Sequence, residues 1–317
     1  MERLLHARAV ALSYTLDTST QKNYGSALNS YLSFIHRHHL PIDPTDDTLS
    51  LFVTYMCHHI NPRSVGTYLS GICRELEHFF PRVREARRSR ILRDTLHGCM
   101  RMRGTPTRRK QALTIDDLNQ ACAHYSRSGD HDDYLFIAML TVGFFALLRL
   151  GELAFPNDVS LRDPRKLILR NTLRFSSQRL QFFLPCHKAD RFFEGNIILL
   201  QSNQLPCDPI THTTRYVASR DNLFPLSSPL WLTQNGQVPT RAFFIRRLQS
   251  LFPSDIAGQS MRAGGATSLA LHGVPPHLIQ AIGRWSSDSF QIYIRKHPLL
   301  LHAIISSRLS CPQPTHT

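Results

Sequence analysis

The 317-residue chain has no Cys-x-x-Cys pair, no apolar run of membrane length and no low-complexity tract, and each absence removes a class of protein. Its seven cysteines, at positions 57, 73, 99, 122, 186, 207 and 311, are odd in number and widely scattered. That pattern argues against a disulfide scaffold and fits a reducing compartment. The longest uncharged apolar stretch, residues 134–148, stops at Arg149, short of the roughly 20 residues a membrane helix needs. It reads as a buried helix. With Glu2, Arg3, His6 and Arg8, the first residues predict no secretory signal. Acidic side chains are also scarce: 23 Asp and Glu face 37 Lys and Arg, a formal charge of +14. An excess of that size points to a polyanionic partner. It is spread over both halves, with 17 basic and 9 acidic residues in 1–110 and 20 and 14 in 111–317, as in a clamp closing on nucleic acid from two sides. A hydrophobic content of 42% is ordinary for a globular chain, and the length allows two domains with real cores.

The first hundred residues read as a helical bundle. Tyr24, Leu28, Tyr31 and Ile35 form a stripe at helical spacing after the polar run 17–20. A second helix follows Pro44, capped by Thr45 or Asp47, with Leu49, Phe52, Val53 and Met56 inward. A third is expected from a Ser64 cap, burying Val65, Tyr68, Leu69, Ile72, Leu76 and Phe79. Residues 82–110 then hold eleven Lys or Arg and two acids. They read either as a solvated helix face plus linker or as a phosphate-tracking surface, and one-signed charge favours the latter. Its candidate DNA-binding residues are Arg82, Arg84, Arg87, Arg88, Arg90, Arg108, Arg109 and Lys110. Gly104 and Pro106 mark a boundary. The expected division is therefore a helical domain over 1–103, a basic linker over 104–112 and a second domain over 113–317, opened by a Thr114–Asp117 capping box.

The second domain mixes helix and strand: mainly α with a small antiparallel β-sheet. An apolar helix is expected to end at Leu153. Alternation at Leu180, Phe182 and Leu184 and the run 196–200 predict two strands joined by a loop that carries Lys188. A further strand is expected at 231–233, then a turn at Asn235-Gly236 and a helix from Thr240 through Leu251. From Met261 onward the pattern is helical, broken at Gly273, Pro275-Pro276 and Gly283, with a last helix carrying Tyr293.

Metal-free cleavage of a phosphodiester needs cations on the non-bridging oxygens, an in-line nucleophile and an acid for the departing oxygen. Arg149 and Arg262 are candidate clamps, though Arg149 also suits an ion pair with Glu152. Gly264 and Gly265 follow Arg262 in a helix, at a cost of about 1 kcal/mol each relative to alanine. They suggest close backbone approach to another helix or to DNA. Lys188 can act as an acid, since lysine lowers its pKa when desolvated, yet taken alone it reads as a surface lysine. Trp285 offers an indole N–H and Tyr293 a nucleophilic phenol, although both types more often pack in cores.

In order along the chain, ALLRLGEL, the lysine of LPCHKAD, QSMRAGG, GRW and the tyrosine of QIYIR resemble the tyrosine recombinase (phage-type integrase) family. RAGGAT and GRWSSDSF are most similar to the branch found in eukaryotic mobile elements of the DIRS and Crypton kinds. The segments STQKNYGSALNSYLSF and SVGTYLSGI resemble that family's SAM-like core-binding domain. The resemblance implies an α+β integrase-type catalytic domain acting on double-stranded DNA. Arg149 and Arg262 would hold the scissile phosphate, Lys188 would protonate the 5′-hydroxyl, and Trp285 would fill a place often held by histidine. Tyr293 would form a 3′-phosphotyrosyl link, without ATP, divalent metal or small-molecule cofactor. It further implies a homo-tetramer on DNA, joined through an apolar C-terminal segment at 298–309 that contains Leu299, Leu300, Leu301, Ile304 and Ile305, and, for a eukaryotic protein, a nuclear location.

One position departs from the pattern. Gln259 stands where the family usually has His or Lys, and glutamine hydrogen-bonds a phosphate but exchanges no proton near neutral pH. Losing one acid–base group costs on the order of 10²–10⁴ in rate, so the alternative is a catalytically inactive DNA-binding protein derived from such an enzyme. A third reading assembles His36, His38, His39, Cys57, His58 and His59 into a zinc-binding regulator, but their spacing matches no finger pattern.

Overall fold

The computed structural model describes residues 1–106, 110–188, 190, 192–287 and 291. The chain divides into two compact units, Met1–Arg108 and Arg109–Thr317. The first is all helical: α1 (Glu2–Ser13), α2 (Thr18–His38), α3 (Asp46–His59), α4 (Pro62–Leu76), α5 (Val83–Arg88) and α6 (Arg90–Arg103). The Thr45 hydroxyl accepts from Thr48 N–H at 3.1 Å to open α3. Tyr31, Phe34, Leu49, Phe52, Val65, Leu69 and Ile72 fill the core, where Tyr31 and Phe52 meet edge to face at 5.4 Å. Two expectations need correction here. The cap of α4 is Asn61, whose side chain accepts from Arg63 N–H at 3.0 Å, because Pro62 is pre-set for the first helical position. Ser64 lies inside the helix. Phe79 lies beyond the end of α4 at Leu76 and is 72% exposed, since the helical spacing no longer governs where it points.

The second unit starts with α7 (Ile115–Tyr125), opened by the Thr114–Asp117 capping box. Next comes α8 (His131–Phe145), buried on nearly every side. The apolar run does not continue as one helix to Leu153. The chain breaks after Phe145, Leu147 takes a left-handed φ of 52°, and a single turn, α9 (Leu150–Leu153), resumes beyond Arg149. Strands β1 (Arg174–Phe175), β2 (Arg179–Leu184) and β3 (Asn196–Gln201) form an antiparallel sheet in that order, with Leu180 opposite Leu200 and Phe182 opposite Ile198. Leu180, Phe182, Leu184, Ile198 and Leu200 point into the core.

Then follow α10 (Pro209–Leu223), α11 (Arg241–Leu251), α12 (Gly258–Leu271) and α13 (Pro276–Ile282). Residues 231–233 form a buried loop rather than a strand. Their apolar pattern reflects the burial of Leu230, Trp231 and Leu232, and Thr233 instead closes the Asn235-Gly236 turn by accepting from Gly236 N–H at 2.8 Å. Thr240 caps α11 as expected.

α12 begins at Gly258, before Arg262, and its paired glycines meet protein. A Cβ on Gly264 would collide with the Leu113 carbonyl and the Phe144 ring, and one on Gly265 with the Phe144 carbonyl. α12 therefore lies against α8 at backbone distance. Among the described residues no helix is long and apolar enough to cross a membrane.

Candidate active site

The break after α8 organises an arginine cluster. Arg262, buried on α12, donates from Nη1 to the Leu147 carbonyl at 2.7 Å and from Nη2 to the Gly283 carbonyl. Arg284, just past α13, donates from Nη2 to the carbonyls of Ala146 and Leu147, each at 3.3 Å, and from Nη1 to Ile282 at 2.9 Å. The Leu147 carbonyl thus faces two guanidiniums, on a residue whose backbone is left-handed. Arg284 is itself left-handed, with φ 54°. Such conformations cost about 1–2 kcal/mol each for residues with a Cβ, and the hydrogen bonds to charged donors offset this by a comparable amount.

Arg149 leaves the same break with its side chain 30% exposed. Its Nη1 donates to Glu152 Oε1 and its backbone N–H to Oε2, both at 2.9 Å. Glu152 is buried, with 6% of its side chain exposed, and Arg284 Nη2 lies 3.8 Å from Oε2. Burial pushes the Arg284 guanidinium below its usual pKa; Glu152 opposes that shift and Arg149 adds to it. Trp285 stacks on Arg262, with the guanidinium carbon 4.0 Å from the ring centroid. A desolvated contact of this kind contributes about 2 kcal/mol. Gly283 has no side chain because a Cβ there would strike the indole ring.

The contacts therefore join Arg149, Arg262 and Trp285 through Glu152, Arg284 and the Leu147 carbonyl. Among the described residues, no hydrogen bond or ion pair links Lys188 or Gln259 to this cluster. Gln259 is exposed in the first turn of α12. Lys188 is exposed on a turn of the β2–β3 loop. Asp190 orders that loop by accepting from the N–H groups of Phe192 and Glu194 at 3.2 Å and of Gly195 at 2.9 Å. Burial raises the Asp190 carboxyl, and these N–H groups outweigh it, holding the group below the usual carboxylate range. Tyr293 and residues 298–309 lie outside the described residues, as do Arg108 and Arg109.

On α5 and α6 the basic stretch is uneven. Arg84 forks onto the Glu77 carboxylate at 2.5 and 2.7 Å, and Arg87 donates to Ser70 Oγ at 2.9 Å and to the Gly66 carbonyl at 3.3 Å. Those two serve the fold. Arg82, Arg88 and Arg90 are exposed, whereas Lys110 donates to the Ser254 carbonyl at 2.7 Å. The histidines make no metal site: among the described residues no three His, Cys, Asp or Glu side chains could hold an ion, and the rings of His38 and His59 each pack on Tyr55.

Arg284 is the residue that sequence reasoning missed. Its only signal was its place between Gly283 and Trp285, which marks a tight turn but says nothing of where the guanidinium goes.

No protein-family model and no curated protein matches the chain. Solved structures do. The XerH site-specific recombinase bound to a palindromic difH substrate, in a post-cleavage complex, aligns at TM-score 0.62 and 14% identity over 91% of this chain and 80% of that one. The Tn1549 transposon integrase in complex with transposon right end DNA aligns at 0.60 and 14%, over 97% and 99%. A lambda integrase dimer bound to a COC′ core site aligns at 0.52 and 13%, over 90% and 94%. The fold is that of site-specific recombinases and integrases. It is mainly helical, with an α+β second unit of the integrase type.

Proposed function

We propose that the protein is a site-specific DNA recombinase of the tyrosine type. The observation that carries this reading is the arginine cluster, with Arg149 and Arg262 joined through Glu152, Arg284 and Leu147 and capped by Trp285, within a recombinase fold. Arg149 and Arg262 bind the non-bridging oxygens of the scissile phosphate, where preorganised donors act most strongly on developing charge. The Tyr293 phenol oxygen attacks phosphorus and loses its proton to solvent; the P–O5′ bond breaks, and Lys188 protonates the departing oxygen. A 3′-phosphotyrosyl link remains, and the 5′-hydroxyl of another strand reverses the step. No external energy source or metal ion enters this scheme. Gln259 contributes a hydrogen bond to the phosphate and no proton.

Residues 1–103 act as the core-binding domain, 104–112 as a basic linker and 113–317 as the catalytic domain, with Arg82, Arg88 and Arg90 on duplex phosphates. Residues 298–309 join copies into a tetramer. The wording of RAGGAT and GRWSSDSF supports a mobile-element origin in a eukaryote, and with it action in the nucleus.

The test is incubation with nicked suicide duplexes drawn from the ends of the element that encodes the chain. A covalent protein–DNA adduct that disappears in Tyr293→Phe is the expected result. Gln259 favours the second reading, a DNA-binding protein without strand-exchange activity, and duplex binding with no adduct under any condition would establish that reading instead.

A further inference from the structure

Arg284 has no role in the scheme above, yet it sits at the centre of the cluster. We infer that Arg284 is a positioning residue for Arg149, dividing the charge of Glu152 so that the Arg149 guanidinium stays available to an oxyanion. This rests on the phosphate-binding reading of the site.

A carboxylate that accepts from both the main chain and the side chain of one arginine satisfies and neutralises it, and such a pair has little attraction left for a second anion. Glu152 holds Arg149 in just this way, at 2.9 Å on each oxygen. Arg284 changes the balance. Its Nη2 approaches Glu152 Oε2 to 3.8 Å, from a side chain only 9% exposed, so two guanidiniums share one carboxylate and the trio keeps a net positive charge. The same Nη2 donates to the carbonyls of Ala146 and Leu147. Arg284 therefore also braces the break that turns Arg149 away from α8. Its Nε is buried without an acceptor among the described residues, and its backbone is left-handed. The chain thus accepts both an unsatisfied donor and a strained conformation to keep a guanidinium here.

The probe is tungstate, a phosphate-shaped oxyanion, titrated calorimetrically into the full chain, with circular dichroism confirming that each variant is folded. Arg284→Met is expected to weaken tungstate binding on the order of tenfold, as loss of one nearby charge predicts. Glu152→Gln alone is expected to tighten it. The double variant Glu152→Gln with Arg284→Met restores one uncompensated charge on Arg149 and is expected to bind as the native chain does. It also removes both members of a buried pair, which spares it the instability of leaving one charge unpaired. A purely architectural Arg284 predicts otherwise: folded Arg284→Met would keep native affinity, or the double variant would stay as weak as the single one, and either result overturns the inference. Native binding that is absent, or unmoved by Arg149→Ala, counts against the phosphate reading itself. Binding lost in Arg149→Ala but unchanged in Arg284→Met counts against Arg284 alone.

Discussion

At the start of α5 and on α6, Arg82 and Arg90 pair with Glu85 and Asp94, and all four side chains are mostly in water. Around Leu147, Arg262 is buried, the Arg284 side chain is 9% exposed, and backbone carbonyls hold both. The same side chain thus does two different jobs. Exposed pairs are worth little and are screened by salt, so under the proposed function the first set would supply attraction that scales with how many cations reach phosphates. In the second set, geometry is fixed by folding, so under the proposed function a phosphate would meet donors that need no rearrangement. The contrast shows why a count of basic residues locates a nucleic-acid surface but not a reactive centre.

The sharpest way to break this comparison is at Arg262. Arg262→Ala should lower the rate of adduct formation by about 10²–10³-fold, the usual effect of removing one preorganised donor, measured in single-turnover reactions on a suicide duplex. Helix contacts come next. Gly265→Ala places a Cβ on the Phe144 carbonyl and should destabilise the second unit by about 1–3 kcal/mol in thermal unfolding.

A third effect depends on pH. Asp221 accepts from Arg170 at 2.7 and 3.1 Å and from buried Arg220 at 2.9 Å. Burial raises its carboxyl, but the two arginines prevail and hold it below the usual range. The stability this contributes is full above the unfolded value of about 3.9 and is lost as pH falls through the lower folded value. The gap in melting temperature between the native chain and Asp221→Asn should therefore narrow as pH drops below about 4.

Smaller effects belong to the first unit. Gly98→Ala in α6 meets open space and should stabilise by about 0.5–1 kcal/mol, through helix propensity and a less flexible unfolded chain. Arg88→Ala should leave stability unchanged and reduce the salt slope of DNA affinity by about 0.9, whereas Arg87→Ala, which removes donors to Ser70 and Gly66, should act on stability. Equal salt slopes for all three proteins would remove the stripe from the DNA surface.

Much of the fold could be read in advance because local chemistry sets it. Thr45, Thr114 and Thr240 cap where a hydroxyl before a periodic run predicts, and alternation in β2 matches its buried face. The misreadings share a cause. The apolar run after Tyr134 carries no proline, and its polar Thr141 bonds within α8; at the break, Arg262 and Arg284 grip the freed carbonyls, tertiary contacts with no local signature. The segment 231–233 has the apolar pattern of a strand because it is buried, and burial without pairing leaves the same pattern. Two-residue β1 is too short to show a period. At the candidate site, Arg149, Arg262 and Trp285 were legible as residue types in order, while Arg284 became visible only through its position beside Glu152 and Leu147.

The bare contact between α8 and α12 has a mechanical consequence. Where Gly265 meets the Phe144 carbonyl, no side chain of α12 stands between the two backbones to absorb a displacement. A push on one helix passes to the other without slack, and Arg262 travels with the carbonyl of Leu147 that it grips. The pair behaves as one beam, and the Arg262 guanidinium and the Leu147 carbonyl share its displacement.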